Sequence, residues 1–165
     1  MRPLSQKLEK EKKKKKSKNN YICFMQTFLI SSDPIETAKL LDYKRLGKQR
    51  TETVQILNIL LDQTGTRGWR NHPAVRMWKG YEAFLVKVYL KAMIEEWKNR
   101  GYKSPKCDEH YKRLYKLVEH QEPIAPSWFS NEFFTSHKSN LVRKNSDYYK
   151  PLFNIDGNLP YVWPR

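Results

Sequence analysis

Along residues 77–92 the apolar side chains Met77, Tyr81, Phe84, Leu85, Val88 and Ala92 return at helical intervals and form one wide stripe. A half-buried strand would alternate instead, so this stretch commits the chain to packing helix on helix. The same signals continue on either side. Asp33, Pro34 and Glu36 read as N-cap, first and third helical residues, with both carboxylates at the positive end of the dipole, and predict a helix to about Tyr43. Gly47 is expected to break or bend the chain before a second helix runs to about Asp62, with Val54, Leu57, Leu60 and Leu61 at core spacing.

Residues 63–68 read as a loop, after which Asn71 is expected to cap a long helix that carries Pro73 in its first turn, reaches about Asn99 and ends at Gly101. Ser104 and Pro105 open another, with Tyr111, Leu114, Tyr115 and Val118 inward and Pro123 and Pro126 stopping it. Residues 129–144 are expected to be helical with Phe133, Phe134 and Leu141 inward, whereas 148–165, rich in proline and aromatics, should pack over the helices as irregular chain. Residues 25–30 read as a short extended segment. The expected fold class is therefore all-α: a compact single-domain helical assembly over residues 23–165 with an irregular aromatic and Pro-rich C-terminal segment.

Residues 1–22 stand apart as a lysine-rich tail expected to be disordered, because like charges without apolar periodicity repel and bury nothing. It serves either as a nuclear-targeting or nucleic-acid-tethering arm or as a plain extension upstream of an alternative start at Met25. Residues 1–20 hold nine basic and two acidic groups, hence +7 of the total +15, which leaves +8 for the rest of the chain. The body is basic in its own right, and favours an anionic partner. Cys23 and Cys107 are too few for a disulfide scaffold and lie in no metal-ligand spacing, and no apolar run is long enough to span a membrane. A soluble intracellular protein, cytoplasmic or nuclear, is expected, with no metal or other cofactor. The abundant aromatics serve as core or as stacking surfaces for bases.

Three clusters carry candidate chemistry. Arg45, Lys48, Gln49, Arg50 and Glu52 fall together on a helix, where cations suit successive phosphates, Gln49 can read by hydrogen bonding, and Glu52, the one acid inside a basic cluster, suits acid/base or oxocarbenium-stabilising work. The plain alternative is a solvated face with a Lys48–Glu52 pair. Arg70, Asn71, His72 and Arg76 mark a helix start suited to an anion, against an ordinary capping role for His72. Ser136, His137, Asn140, Arg143 and Lys144 form a phosphate or sugar contact surface; no nucleophile elbow supports a hydrolase there.

Five segments also resemble a known family: MQTFL at 25–29, LDYKRLGKQR at 41–50, WRNHPAVRMW at 69–78, SHKSNLVRK at 136–144 and LPYVWP at 159–164. They are similar to small bacterial and viral proteins grouped with the pyrimidine-dimer DNA glycosylases of the phage endonuclease V type. The resemblance to the phage enzymes themselves is weaker, resting on Tyr43 and Leu46 and on the Tyr148, Tyr149, Lys150 run. It implies a helical enzyme that kinks damaged DNA, attacks the sugar C1′ with an N-terminal amine and cleaves the strand by β-elimination with help from a glutamate.

The chain departs from that pattern twice. Gln26 follows Met25 where a small threonine would be exposed, and its bulk disfavours removal of Met25; Arg45 stands where the glutamate would be. Glu52 would then act from a rearranged site, with Lys48 as a substitute amine and His72 and His137 as further candidate catalytic groups. The expected partner is DNA, as a duplex and damaged, with no membrane and no obligate protein partner. The functional expectation is a DNA-binding repair protein of glycosylase and abasic-lyase type. The alternatives are a non-catalytic nucleic-acid-binding protein that kept the fold, and an enzyme of another class using His72, His137 and Glu52.

Overall fold

The computed structural model describes residues 25–65 and 68–164, so the lysine-rich tail and Cys23 lie outside the described residues. The described chain is all-α, with no strand. Helix α1 (Pro34–Leu40) starts as its sequence dictates: the Asp33 side chain accepts the Ile35 N–H at 2.9 Å and Pro34 occupies the first turn. It ends earlier than its periodicity predicts. Arg100 donates to the carbonyls of Ala38 and Lys39 at 3.0 and 3.1 Å, satisfying the groups a longer helix would have used.

The chain restarts at once as α2 (Tyr43–Leu60), with the break at Leu41 and Asp42 rather than at Gly47. Asp42 receives the Tyr149 hydroxyl and Arg45 Nη1, the latter at 3.2 Å, so its carboxylate is spent on tertiary contacts. Gly47 lies inside α2 for a packing reason: a Cβ there would meet the Trp97 ring at 3.2 Å. Arg50 stacks over the same indole, 4.0 Å from its centroid.

The long helix expected from residue 71 is divided. A short α3 (Pro73–Arg76) is capped by His72, not Asn71, and gives way to a turn in which Gly80 takes φ 89. That left-handed conformation favours glycine. The apolar stripe then runs as one continuous helix, α4 (Glu82–Phe84) passing through a π-helical stretch (Leu85–Leu90) into α5 (Lys91–Asn99). Leu85, Val86, Tyr89 and Leu90 are buried in that stretch, and α2 packs along both it and α5. Helix α6 (Pro105–Val118) buries Leu114 and Val118 against α2 but leaves Tyr115 exposed, with Lys87 Nζ 5.4 Å over its ring, instead of turning it inward.

Helix α7 (Asn131–Lys144), capped by Ser130, packs on α8 (Ser146–Phe153). Helix α8 was expected to be irregular. The Asn145 side chain caps it, and the ring of Pro151 comes late enough that the helix ends soon after, at Asn154 in the left-handed region. The irregular C-terminal segment begins only there. It is clamped to α7: Arg143 donates to the Gly157 carbonyl at 2.8 Å and to the Leu159 carbonyl at 2.6 Å.

A candidate site at Glu52

Residues 25–30 are buried and lie in no helix or strand, so their amides must find partners elsewhere. They find side chains. Gln26 N–H donates to Glu52 Oε2 at 3.3 Å, Thr27 to Gln26 Oε1 at 2.9 Å, Phe28 to Gln49 Oε1 at 3.0 Å, Leu29 to His137 Nδ1 at 3.0 Å and Ile30 to Thr37 Oγ1 at 3.1 Å. Gln49 Nε2 returns a bond to the Gln26 carbonyl at 3.0 Å, while the Tyr89 hydroxyl lies 2.6 Å from Gln49 Oε1 and 2.9 Å from the Phe28 carbonyl. This lattice fixes Gln26 beside Glu52.

Glu52, on α2, is half-buried. Burial raises its carboxyl from the ordinary value of 4.5 to about 7; the Gln26 N–H and the charges of Lys48 and Lys144 act in the opposite direction. A group balanced between acid and base near neutrality can give a proton and take one back. Lys144, at the end of α7, holds Nζ 6.0 Å from the centroid of the Phe28 ring, and its carbonyl accepts Arg45 Nη2 at 3.3 Å. Its pKa is lowered by partial desolvation first and then by Arg45, Lys48 and Arg143, while Glu52 raises it. Tyr161 closes another side; burial pushes its phenol up to about 12, with Glu52 adding to the effect and Arg143 opposing it.

A cleft of about 690 Å³, which shares Lys144 with this site but is not lined by Glu52, is bordered by Asp42, Tyr43, Lys44, Arg45, Arg100, Lys144, Asn145 and Tyr148. The two tyrosines are 55% and 40% exposed, so their rings are available for stacking. Gln26 Nε2 is buried and has no hydrogen-bond partner among the described residues.

The first and third sequence clusters thus meet, contributing Arg45, Lys48 and Glu52 from α2 and Arg143 and Lys144 from α7. Several of their members do other work. Gln49 is buried and spends its amide on the Gln26 to Phe28 backbone, so it cannot read a base. Arg50 turns to Trp97 and donates to Ser104 Oγ at 2.7 Å. Ser136 and Asn140 are buried clamps for the C-terminal segment: Ser136 Oγ accepts the Val162 N–H at 3.3 Å, and Asn140 Nδ2 donates to the Leu159 carbonyl at 3.2 Å. His137 is fully buried, accepts the Leu29 N–H, and is held neutral because burial drops its ring to about 3. It is a core histidine without access to a substrate.

The second cluster stays apart from the first. His72 accepts the Ala74 N–H at 3.1 Å and packs edge-on to Trp163 with ring centroids 6.4 Å apart, a capping role; Arg70 pairs with Asp62, and Asn71 and Arg76 are exposed. Trp163 leads on to Tyr161 at 5.6 Å, so an aromatic path connects the two regions. Sequence reasoning missed Gln26, Phe28 and Tyr161 as parts of the site. Only the resemblance of residues 25–29 and 159–164 to a family pointed there.

Among the described residues no helix is long and apolar enough to cross a membrane, and no group of acidic, histidine and cysteine side chains could hold a metal ion. No curated protein and no solved structure matches the chain. The family model for pyrimidine dimer DNA glycosylase matches residues 25–119, which include Gln26, Lys48 and Glu52. On that match the chain belongs to the pyrimidine dimer DNA glycosylase family.

Proposed function

We propose that this protein is a DNA repair glycosylase that excises a damaged pyrimidine from duplex DNA and then opens the strand at the abasic sugar, with Glu52 as its proton-transfer group. The observation that carries this reading is the Glu52 carboxyl, half-buried, poised at about 7 and surrounded by Lys48 and Lys144. In its acid form it protonates the departing base, and as carboxylate it stabilises the positive charge that develops on the sugar. Arg45, Lys48 and Lys144 neutralise the backbone phosphates flanking the lesion, while Tyr43 and Tyr148 offer stacking faces for an unstacked base. Arg70, Asn71 and Arg76 lie outside the site and extend the footprint along the duplex.

The test is incubation with UV-irradiated, undamaged and abasic duplexes. Base release and nicking confined to the irradiated and abasic substrates, and abolished in Glu52→Gln, are expected. One feature favours a second reading, a DNA-binding protein without catalysis: Gln26 N is a peptide nitrogen acylated by Met25, and therefore a donor but no nucleophile. Salt-sensitive binding without base release or nicking would select that reading.

A further inference from the structure

Residues 97–106 carry four cations, Lys98, Arg100, Lys103 and Lys106, and no acid, and the exposed Tyr102 stands among them. Two of the cations are occupied: Lys98 pairs with Asp108 and Arg100 with Glu96, each at 2.8 Å. Lys103 and Lys106 are exposed and have no acidic partner among the described residues. We propose that the connection between α5 and α6 is a docking point for single-stranded DNA, where one unpaired base stacks on the Tyr102 ring and the flanking phosphates meet Lys103 and Lys106. The inference rests on DNA binding by this family and needs no catalysis at Glu52.

The ring is held in place before any base arrives. Gly101 takes φ 90 just after α5, a left-handed conformation that favours glycine, and the Tyr102 N–H then donates to the Trp97 carbonyl at 3.2 Å. That closure lays the phenol on the indole, with ring centroids 4.3 Å apart and 28° between the planes. Trp97 is itself immobilised. Its Nε1 donates to the Lys103 carbonyl at 3.0 Å, and Arg50 stacks on its ring while donating to Ser104 Oγ at 2.7 Å. The stack thus joins α2, α5 and the connection, and a ring fixed in this way loses little freedom when a ligand covers it.

Trp97 covers one face of the Tyr102 ring, yet the residue is still 42% exposed. Among the described residues no second aromatic ring stacks on it and no cation lies over it. A flat π-face is therefore offered to solvent beside two unpaired lysines. That combination matches a nucleotide, whose base and phosphate lie side by side, whereas an apolar partner would leave the lysines unused. A base inside a duplex has both faces taken by its neighbours, so the one that stacks here is unpaired. Arg100, at the start of the connection, also borders the cleft of Tyr43, Lys44, Arg45 and Lys144, so the platform adjoins the cationic surface assigned above to the DNA backbone.

The test irradiates the full chain bound to a single-stranded oligothymidylate that carries 5-iododeoxyuridine, and maps the adducts by proteolysis and mass spectrometry. The iodinated base couples under ultraviolet light to a ring on which it is stacked, so an adduct on Tyr102 is expected. By fluorescence anisotropy, Tyr102→Leu should bind the same strand roughly tenfold more weakly, and Tyr102→Phe, which keeps the stacking face, should stay within about twofold of the parent. Binding to a blunt undamaged duplex should change by less than about twofold in either variant, a split that a purely structural role for Tyr102 would not produce. Adducts only on other residues overturn the inference, as does a loss in Tyr102→Leu that is equal for strand and duplex, or absent for both. Mapping on the unmodified chain makes the result independent of whether a variant folds. Duplex binding without single-strand binding refutes the platform and leaves the DNA-binding protein; binding of neither refutes both.

Discussion

Replacing Glu52 with Gln should make the protein more stable at alkaline pH and leave it unchanged at acid pH. The carboxyl ionises at 4.5 in its ordinary environment and at about 7 in the folded protein. Below 4.5 it is protonated in both states and resembles the amide. As pH rises from there to about 7 the unfolded chain ionises freely while the folded one resists, so the parent loses stability relative to the variant. The displacement corresponds to about 3 kcal/mol, reduced to about 2 kcal/mol by the part of the carboxylate that remains in water. For a chain of this size that is a rise in Tm of roughly 4–8 °C for the variant at pH 9. Thermal melts of both proteins from pH 4 to 9 read it directly, Lys48 and Lys144 being present in each. A difference that stays flat with pH, or a parent more stable above pH 7, would show that the lysines hold Glu52 ionised, and would remove the basis for a neutral-pH proton donor.

Two further outcomes follow from the same geometry. Reversing charge in Arg45→Glu with Lys48→Glu should weaken duplex binding and flatten the slope of log K against log salt by about 1–2, measured by fluorescence anisotropy; an unchanged slope returns both residues to a solvated face. Gln49→Leu leaves the Phe28 N–H and the Gln26 carbonyl without their partner, while the Tyr89 hydroxyl keeps the Phe28 carbonyl, and should cost about 2–4 kcal/mol in urea unfolding; a loss under about 1 kcal/mol would mean the lattice around residues 25–30 is redundant.

The parts of the fold written in local chemistry were legible in the sequence. Asp33 and Pro34 start a helix whatever surrounds them, and the apolar stripe from Met77 to Ala92 forms one buried side of the assembly. What was misread depended on distant partners. Gly47 looks like a breaker until Trp97 arrives to use the missing Cβ, and Pro151 looks like a stop signal until Asn145 caps the turn before it. The site shows the same division. Arg45, Lys48 and Glu52 share a face because helical spacing puts them there, whereas Gln49, Arg50 and His137 carry polar groups whose targets lie far away in sequence, and polarity alone does not tell an inward bond from an outward one. Lys144 joined the site only because α7 folds back beside α2.

Residues 26–30 are read by side chains one amide at a time, and the readers come from the segment itself and from α1, α2 and α7. A sheet whose two faces are alike can slip in register by re-pairing like with like. This arrangement cannot, since each acceptor differs in chemistry and position from the next. Inserting or deleting a single residue between Gln26 and Ile30 would therefore break the bonds of this segment to three helices at once. The segment acts as the keyway of the molecule, held to a fixed residue count between Gln26 and Ile30.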